Sequence, residues 1–249
     1  MADTPDLRAL VTGASSGIGA AYARALRARG DRVVLVARRG DRLRSLADEL
    51  GGEPHALVLP LDLAGPGAAE ALRGDVEARG IAIDCLVNCA GLGHTAPFEA
   101  QRPEAIRAML DVNVRALVEL TRAFLPGMRG RARGRIVNVA SIGALRPLAR
   151  LGPYCASKAG LVQLTRVMAV ELARHNVQVN AVCPGYFATP MNEAFFATAK
   201  GQEMIQRSIP MRRLGEPAEL GPTVVFLASE ASSFMTGSVV VVDGGQTLT

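Results

Sequence analysis

The sequence has no tryptophan, and only three tyrosines and seven phenylalanines among its 249 residues. Without interleaved aromatics, a surface that stacks single-stranded nucleic acid is not expected. Lysine is nearly as scarce: only Lys158 and Lys200 occur, so 26 of the 28 basic side chains are arginine. The net charge of +5 permits acidic partners without demanding one. The four cysteines, Cys85, Cys89, Cys155 and Cys183, include no Cys-x2-Cys pair. That usage suits thiols in a reducing compartment, and a cytoplasmic protein is expected. Cys85 and Cys89 with His94 lack a fourth ligand nearby in sequence, so no metal is expected. No window approaches the roughly 18 unbroken apolar residues of a membrane helix. The opening MADTPDLRAL carries Asp3 and Asp6 and no apolar stretch, so no secretory leader is expected.

The chain is 49% hydrophobic, enough for a sizeable core. Seven short apolar runs read as strands: 8–13, 32–37, 55–61, 83–88, 134–140, 177–184 and 238–244. Most are nearly continuous Val, Leu and Ile, which suits strands covered on both faces. Between them lie helical periods at about 17–29, 41–50, 68–79, 103–128, 154–174 and 216–229. The alternation predicts an α/β fold, a parallel sheet wrapped by helices, with right-handed crossovers. No linker or composition break interrupts it, so one domain over 1–249 is expected. The least regular region, 185–215, is the place for a mobile segment covering a substrate. Arg129, Arg131, Arg133 and Arg135 form the densest basic run. It reads as a solvated loop before a strand, with a docking patch for an acidic partner as the alternative.

In such a sheet ligands bind beyond the carboxyl ends of the strands. The first strand ends in Gly13-Ala14-Ser15-Ser16-Gly17-Ile18-Gly19. Gly13 allows a tight turn, Gly17 lets a pyrophosphate approach the backbone, and Gly19 permits close helix–strand packing. The helix opening there offers free N–H groups and its positive dipole end, and Ser15 and Ser16 add hydroxyls. The second strand ends in Arg38 and Arg39, with no acid to read a free ribose 2′-hydroxyl. Two guanidinium groups suit a 2′-phosphate, so NADP(H) is expected ahead of NAD(H). After the third strand, Asp62 is placed to accept from an adenine amino group and Leu63 to lie along the ring; Asp62 is equally an ordinary turn residue. After the fourth, Ala90 and Gly91 leave room for a cofactor. Asn88 either lines that room or ties two strands together.

Tyr154-Cys155-Ala156-Ser157-Lys158 is the most informative stretch. On a helix, positions i and i+4 share a face about 5–6 Å apart. An ammonium at that distance predicts a phenol pKa below its ordinary value, giving a usable acid/base. A chance Tyr-x3-Lys is expected only about 0.02 times in a chain so poor in both residues. Ser141 follows the fifth strand thirteen residues earlier. Its hydroxyl is placed to donate to a substrate carbonyl beside the phenol.

Taken together, TGASSGIG, NCAG, Ser141, Tyr-x3-Lys and Pro184-Gly185 resemble the short-chain dehydrogenase/reductase family, from Leu10 to Gly245. The overall pattern is similar to 3-oxoacyl carrier-protein reductases. The resemblance implies a Rossmann-type doubly wound domain with a seven-stranded parallel sheet and helices on both faces. It implies hydride transfer between a nicotinamide and a ketone or secondary alcohol, with a 3-oxoacyl thioester, a sugar alcohol or a hydroxysteroid as substrate classes. Tyr154 is then the acid/base, Lys158 its modulator and a ribose ligand, Ser141 the carbonyl positioner, and Asn113 the holder of a relay water. Gly13, Ser15, Ser16, Gly17, Ile18, Gly19, Arg38, Arg39, Asp62, Leu63, Asn88, Ala90, Gly91, Pro184, Gly185 and Thr189 are implied cofactor contacts. Candidate substrate contacts are His94, Leu148, Tyr186, Met191 and Phe195 beside Ser141. Relatives are commonly tetramers through the helices near 103–128 and 154–174. Arg129–Arg133 and Arg174 are the candidate surface for an acidic carrier protein, and Arg146 and Arg150 lie in the loop after Ser141. Cys89 stands where the family more often has asparagine. A binding regulator without turnover, the alternative of another class, is expected to lack one of Tyr154, Lys158 and Ser141.

Overall fold

Valine, leucine and isoleucine dominate the strand cores because branched side chains pack well on a pleat covered from both sides. The computed structural model describes residues 8–249, so the acidic opening stretch lies outside the described residues. Seven parallel strands form one sheet: β1 (Arg8–Thr12), β2 (Arg32–Ala37), β3 (Ala56–Pro60), β4 (Cys85–Asn88), β5 (Gly134–Val139), β6 (Val177–Pro184) and β7 (Val239–Val242). Their order is β3-β2-β1-β4-β5-β6-β7. The chain crosses from β3 back past β1 to β4, so the switch point lies between β1 and β4. Those two pair in register at Ala9–Cys85, Leu10–Leu86 and Val11–Val87.

Alternation along each strand sorts the core into two layers. Ala9, Val11, Val33 and Leu35 face Tyr22 and Leu26 of α1 (Gly17–Arg29), Leu43 of α2 (Gly40–Glu49) and residues of the 221–227 helix. Leu10, Val34, Leu86 and Ile136 face α3 (Ala68–Ala78) and the long helices that follow it. Helices thus cover both faces.

The predicted helix 103–128 is broken in the middle. It runs as α4 (Pro103–Leu110), a wider π turn over Asp111–Arg115, and α5 (Ala116–Gly130). α6 (Gly152–Leu172) starts two residues before its predicted boundary. The predicted helix 216–229 divides into a 3₁₀ turn, Pro217–Leu220, and a helix, Gly221–Leu227. The region 185–215, expected to be irregular, contains α7 (Glu193–Phe196) and α8 (Ala199–Ser208). Thr198 caps α8 by accepting from Gly201 N, and Phe196, Ile205 and Ile209 form a small core of their own. The 221–227 helix is α9.

The arginine run divides too. Arg135 is 3% exposed in β5, where it donates to Gln178 and Glu230, so it is no part of a solvated loop. Arg131 is held by the Ile83 carbonyl and Asp84. Among the described residues, no helix is long and apolar enough to cross a membrane.

Candidate active site

The sequence-predicted residues gather at the carboxyl end of the sheet. In the β1–α1 turn, Gly17 sits at φ 55° and Gly13 at φ 67°, where an L side chain is strained. A Cβ on Gly19 would run into the Gly13 carbonyl and lie 2.7 Å from its carbon, so α1 approaches the strand end only because this position is glycine. Thr189 faces the same turn: its Cγ2 lies 3.3 Å from where a Cβ of Gly17 would be. Ile18 turns inward and packs on the first core layer. Arg39 reaches over from the end of β2 and donates to Ser15 Oγ at 2.8 Å and Ser16 Oγ at 2.8 Å. Arg38 beside it is exposed.

Three predicted cofactor contacts have structural duties. Asp62 Oδ1 accepts from Ala64 N at 3.1 Å, the turn role left open above. Leu63 is 6% exposed and belongs to the second core layer. Asn88 is fully buried and donates to Asn138 Oδ1 at 2.9 Å and Thr121 Oγ1 at 3.3 Å, tying β4 to β5 and α5. Asn138 in turn donates to Thr165 of α6 at 2.9 Å. Asparagine within otherwise apolar strands, as in CLVN and IVNV, is the sequence signal for this ladder. Thr12, which the sequence reading passed over, accepts from Cys89 N and Ala90 N and so fixes the loop after β4.

Asn113 lies in the π turn, fully buried. It donates to Leu92 O at 2.9 Å and Ser157 Oγ at 3.0 Å and accepts from Leu92 N at 2.8 Å. These bonds clamp the 89–93 loop to α6. A Cβ on Gly91 would sit 3.4 Å from Lys158 Nζ and 3.5 Å from Asn113 Oδ1, so loop, lysine and asparagine meet at one point.

Lys158 is buried, and its ammonium donates to the carbonyl of Val139, the last residue of β5, at 2.8 Å. Burial lowers its pKa from 10.5 to about 8, with the Cys89 and Cys183 thiols acting the other way. It lies 5.9 Å from the centre of the Tyr154 ring. The phenol is a correction to the sequence reading. Its pKa is raised from the ordinary 10.0, chiefly because desolvation penalises the phenolate, with the nearby Ser141 acting the other way. Helical spacing brought the two residues to one face, but burial of both groups decides the sign. Ser141 is buried after β5, in extended backbone, and its Oγ accepts from Gly143 N at 3.0 Å.

The candidate substrate residues surround this group. A Cβ on Gly93 would lie 3.7 Å from Tyr154 Cδ2 and 3.9 Å from Met191 Sδ, so Gly93 sits beside both the phenol ring and the exposed Met191 of the 185–215 segment. Leu148 and Cys155 both pack on Gly143, beside Ser141. Tyr186 stacks edge-on against Phe196 at 5.1 Å, and Phe195 does the same from the other side. His94 is half-buried in the loop beside Gly93. Cys155, unassigned by the sequence reading, acts electrostatically on both Tyr154 and Tyr186. Pro184 ends β6, and Gly185 packs so closely that a Cβ there would meet Asp243 at 2.7 Å.

Known proteins are similar to this chain over nearly its whole length. The family described as enoyl-(acyl carrier protein) reductase matches residues 13–247. The L-xylulose reductase of Bos taurus is 40% identical over 239 residues, covering 96% of this chain and 95% of that protein. Oxidoreductase UcpA of Salmonella typhimurium is 38% identical over 251 residues, covering 96% of this chain and 94% of that protein. Among solved structures, a gluconate 5-dehydrogenase from Burkholderia cenocepacia, in complex with NADP and tartrate, superposes with a TM-score of 0.93 at 34% identity, covering 98% of this chain and 96% of that one. Matches of this extent and identity carry more than a fold, and the chain belongs to the short-chain dehydrogenase/reductase family of oxidoreductases.

Proposed function

We propose that the protein is an NADP(H)-dependent oxidoreductase that interconverts a ketone and a secondary alcohol, with Tyr154 as acid/base. One observation carries this reading: the half-buried Tyr154 ring lies 5.9 Å from the buried Lys158 ammonium, one helical turn away, on the helix that packs against the turn opened by Ser141. The residues at the β1 and β2 ends fit a phosphorylated dinucleotide. Gly17 leaves a cradle that a Cβ would fill, and Arg39 is already drawn onto the Ser15 and Ser16 hydroxyls beside it. No carboxylate stands at the end of β2 to select a free ribose hydroxyl. The NADP in the gluconate 5-dehydrogenase structure supports the same choice. Gly13, Gly17 and Gly19 would let the pyrophosphate approach, Arg39 with Arg38 would hold the 2′-phosphate, and Thr189, Pro184 and Gly185 would border the nicotinamide. When bound, that cofactor supplies or accepts the hydride.

In reduction, Ser141 donates to the carbonyl oxygen and steadies the charge that develops on it. Tyr154, protonated at neutral pH because its pKa lies above 10.0, delivers the proton to that oxygen. Lys158, fixed on Val139 O, keeps a positive charge beside the phenol and stabilises the phenolate left behind. Asn113 holds the 89–93 loop against α6 and so positions the lysine. Met191 and Tyr186 would border the substrate. A carbonyl panel assayed for NADPH consumption tests the reading: the wild-type chain turns over at least one ketone, and Tyr154→Phe abolishes that turnover. NADPH binding without turnover of any member would instead favour a regulator.

The assembly we propose is a homotetramer of single-domain subunits in the cytoplasm. Val118 on α5, Val167 and Val170 on α6, and Phe226, Phe234, Val241 and Leu248 near the C-terminal end are exposed apolar side chains. Their burial between subunits would support such an assembly. Light scattering at a mass near four subunits is the expected result. The four free thiols suit a reducing compartment.

A further inference from the structure

We infer that Ser157 is a positioning residue for the proposed reaction: its hydroxyl ties the helical turn that carries Tyr154 to the amide of Asn113, and this tie sets where the phenol stands. The inference rests on the oxidoreductase reading above and adds a residue to it. Ser157 Oγ donates to the main-chain oxygen of Tyr154 at 2.7 Å and accepts from Asn113 Nδ2 at 3.0 Å. Ser157 is 2% exposed and Asn113 is fully buried, so water does not compete for either bond. A hydroxyl has one proton to give, and this one goes to Tyr154 O. The amide of Asn113 has two, one donated to Leu92 O at 2.9 Å and the other to Ser157 Oγ. Every polar hydrogen of the cluster is thereby spent, and the directions of the bonds are fixed.

The turn that carries the phenol needs such a tie. Tyr154 lies in the first turn of α6, and the first N–H groups of a helix have no partner within it. No side chain caps this turn, and Pro153 brings no N–H to it. The chain enters through Arg150 at φ 69°, a left-handed conformation that is unfavourable for a side chain of this kind. The ring beside Gly152, that of Phe98, is 82% exposed and gives little cover. The tie through Ser157 supplies what a cap does not, and it runs to the π turn that also holds the 89–93 loop. Helix formation does not account for the serine. A hydroxyl bonded back to its own helix slightly destabilises it, and alanine is the better helix former. The same arrangement recurs two turns on, where Thr165 Oγ1 donates to Leu161 O at 2.8 Å and accepts from Asn138 Nδ2 at 2.9 Å. Thr165 is fully buried as well, but the carbonyl it holds belongs to a core leucine. Turnover therefore depends on the first hydroxyl and not on the second.

The test compares Ser157→Ala, Ser157→Thr and Thr165→Val with the wild-type chain, using NADPH and a ketone that the wild type reduces. Ser157→Ala is expected to lower kcat by about ten- to a hundredfold. Its KM and NADPH affinity stay within about threefold of wild type, because Asn113 keeps both bonds to Leu92. Ser157→Thr keeps a hydroxyl that readily bonds back to its helix, and recovers most of kcat. Thr165→Val lowers the urea midpoint about as far as Ser157→Ala does and leaves kcat within about threefold of wild type. Urea unfolding also shows that each variant is folded in the assay; should Ser157→Ala not be, Ser157→Cys fills nearly the same space with a weak hydrogen-bonding group and takes its place. Undiminished kcat in the folded variant overturns the inference and leaves the oxidoreductase reading intact. So does an equal fall in Thr165→Val, or a fall in folded Ser157→Thr as deep as in Ser157→Ala. Absence of turnover by the wild-type chain, with NADPH bound, overturns the oxidoreductase reading and this inference with it.

Discussion

Asn113 and Leu92 exchange two hydrogen bonds, Nδ2 to the Leu92 carbonyl at 2.9 Å and the Leu92 amide to Oδ1 at 2.8 Å. The asparagine thereby substitutes for a strand partner at the point where the chain leaves β4. The π turn over Asp111–Arg115 is what aims it. An ordinary helix would carry position 113 round to a different angle, away from the loop. Asn113→Ala leaves the Leu92 amide and carbonyl without these partners. We expect a loss of about 2–4 kcal/mol in denaturant unfolding. Turnover falls as well, because Lys158 and Gly91 share the same junction. Asn113→Asp keeps the acceptor but sets a carboxylate against the Leu92 carbonyl, and is expected to be no better.

Tyr154→Phe separates chemistry from folding. The Tyr154 side chain is half-buried, and its hydroxyl makes no hydrogen bond to another described residue. Removing the hydroxyl therefore disturbs little of the core but removes the proton donor. Turnover is expected to drop by about 10²–10⁴-fold, while the unfolding free energy stays within about 1 kcal/mol. NADPH affinity, followed by fluorescence, remains near the wild-type value.

Much of this was legible before any coordinates, and the misses share a cause. The seven Val/Leu/Ile runs define the sheet, because a strand buried on both faces has no other composition available. TGASSGIG and Tyr-x3-Lys locate the site because turn and helix geometry follow from local spacing. What local spacing cannot give is environment. Arg135 reads as one more surface arginine, and only Gln178 and Glu230, far along the chain, reveal it as buried. The sign of the Tyr154 shift depends on how much protein covers the ring, which no i,i+4 rule contains. The π turn leaves a single hint, an asparagine amid a helical pattern. α8 does leave a local signal: Thr198 is a good N-cap, and Ile205 and Ile209 are one turn apart.

Arg39→Met tests the cofactor choice. The guanidinium already lies against Ser15 and Ser16, over the glycine turn. Losing a charge-assisted contact to a 2′-phosphate is expected to weaken NADPH by about 10–100-fold. NADH, which lacks that phosphate, is expected to change by less than about threefold. Paired titrations of both nucleotides check this, and an equal loss for both would contradict the assignment.

Gly19→Ala tests whether the turn geometry is needed for binding. The added methyl would meet the main chain of Gly13 and lie 3.1 Å from Ala14 N, and backbone cannot swing aside as a flexible side chain can. α1 must shift outward. We expect a destabilisation of about 1–3 kcal/mol and a loss of NADPH binding larger than stability alone explains. Gly74, on α3 with open space around it, is the control. Gly74→Ala is expected to be neutral or to stabilise by up to about 1 kcal/mol.

The buried ammonium and thiols fix the shape of stability against pH. Burial holds Lys158 at about 8 in the folded chain, against 10.5 when exposed. Between these values the unfolded chain binds more protons, so stability rises with pH. Cys85 and Cys89 act in reverse. Burial raises each from 9.0 to about 12. Above 9.0 the folded chain is the one that keeps these protons, so stability falls. Tyr22 and Tyr154, both raised by burial, add to the fall above 10.0. The contributions leave a rise from about pH 8 to a maximum near pH 9, then a decline. Lys158→Met keeps the decline and loses the rise, whatever its baseline stability after the bond to Val139 O is gone. The difference between the two proteins is expected to change by about 1 kcal/mol over that one unit of pH, measured by urea unfolding at steps of about half a pH unit. Parallel curves for the two proteins would mean that Lys158 titrates in the folded chain much as it does when exposed.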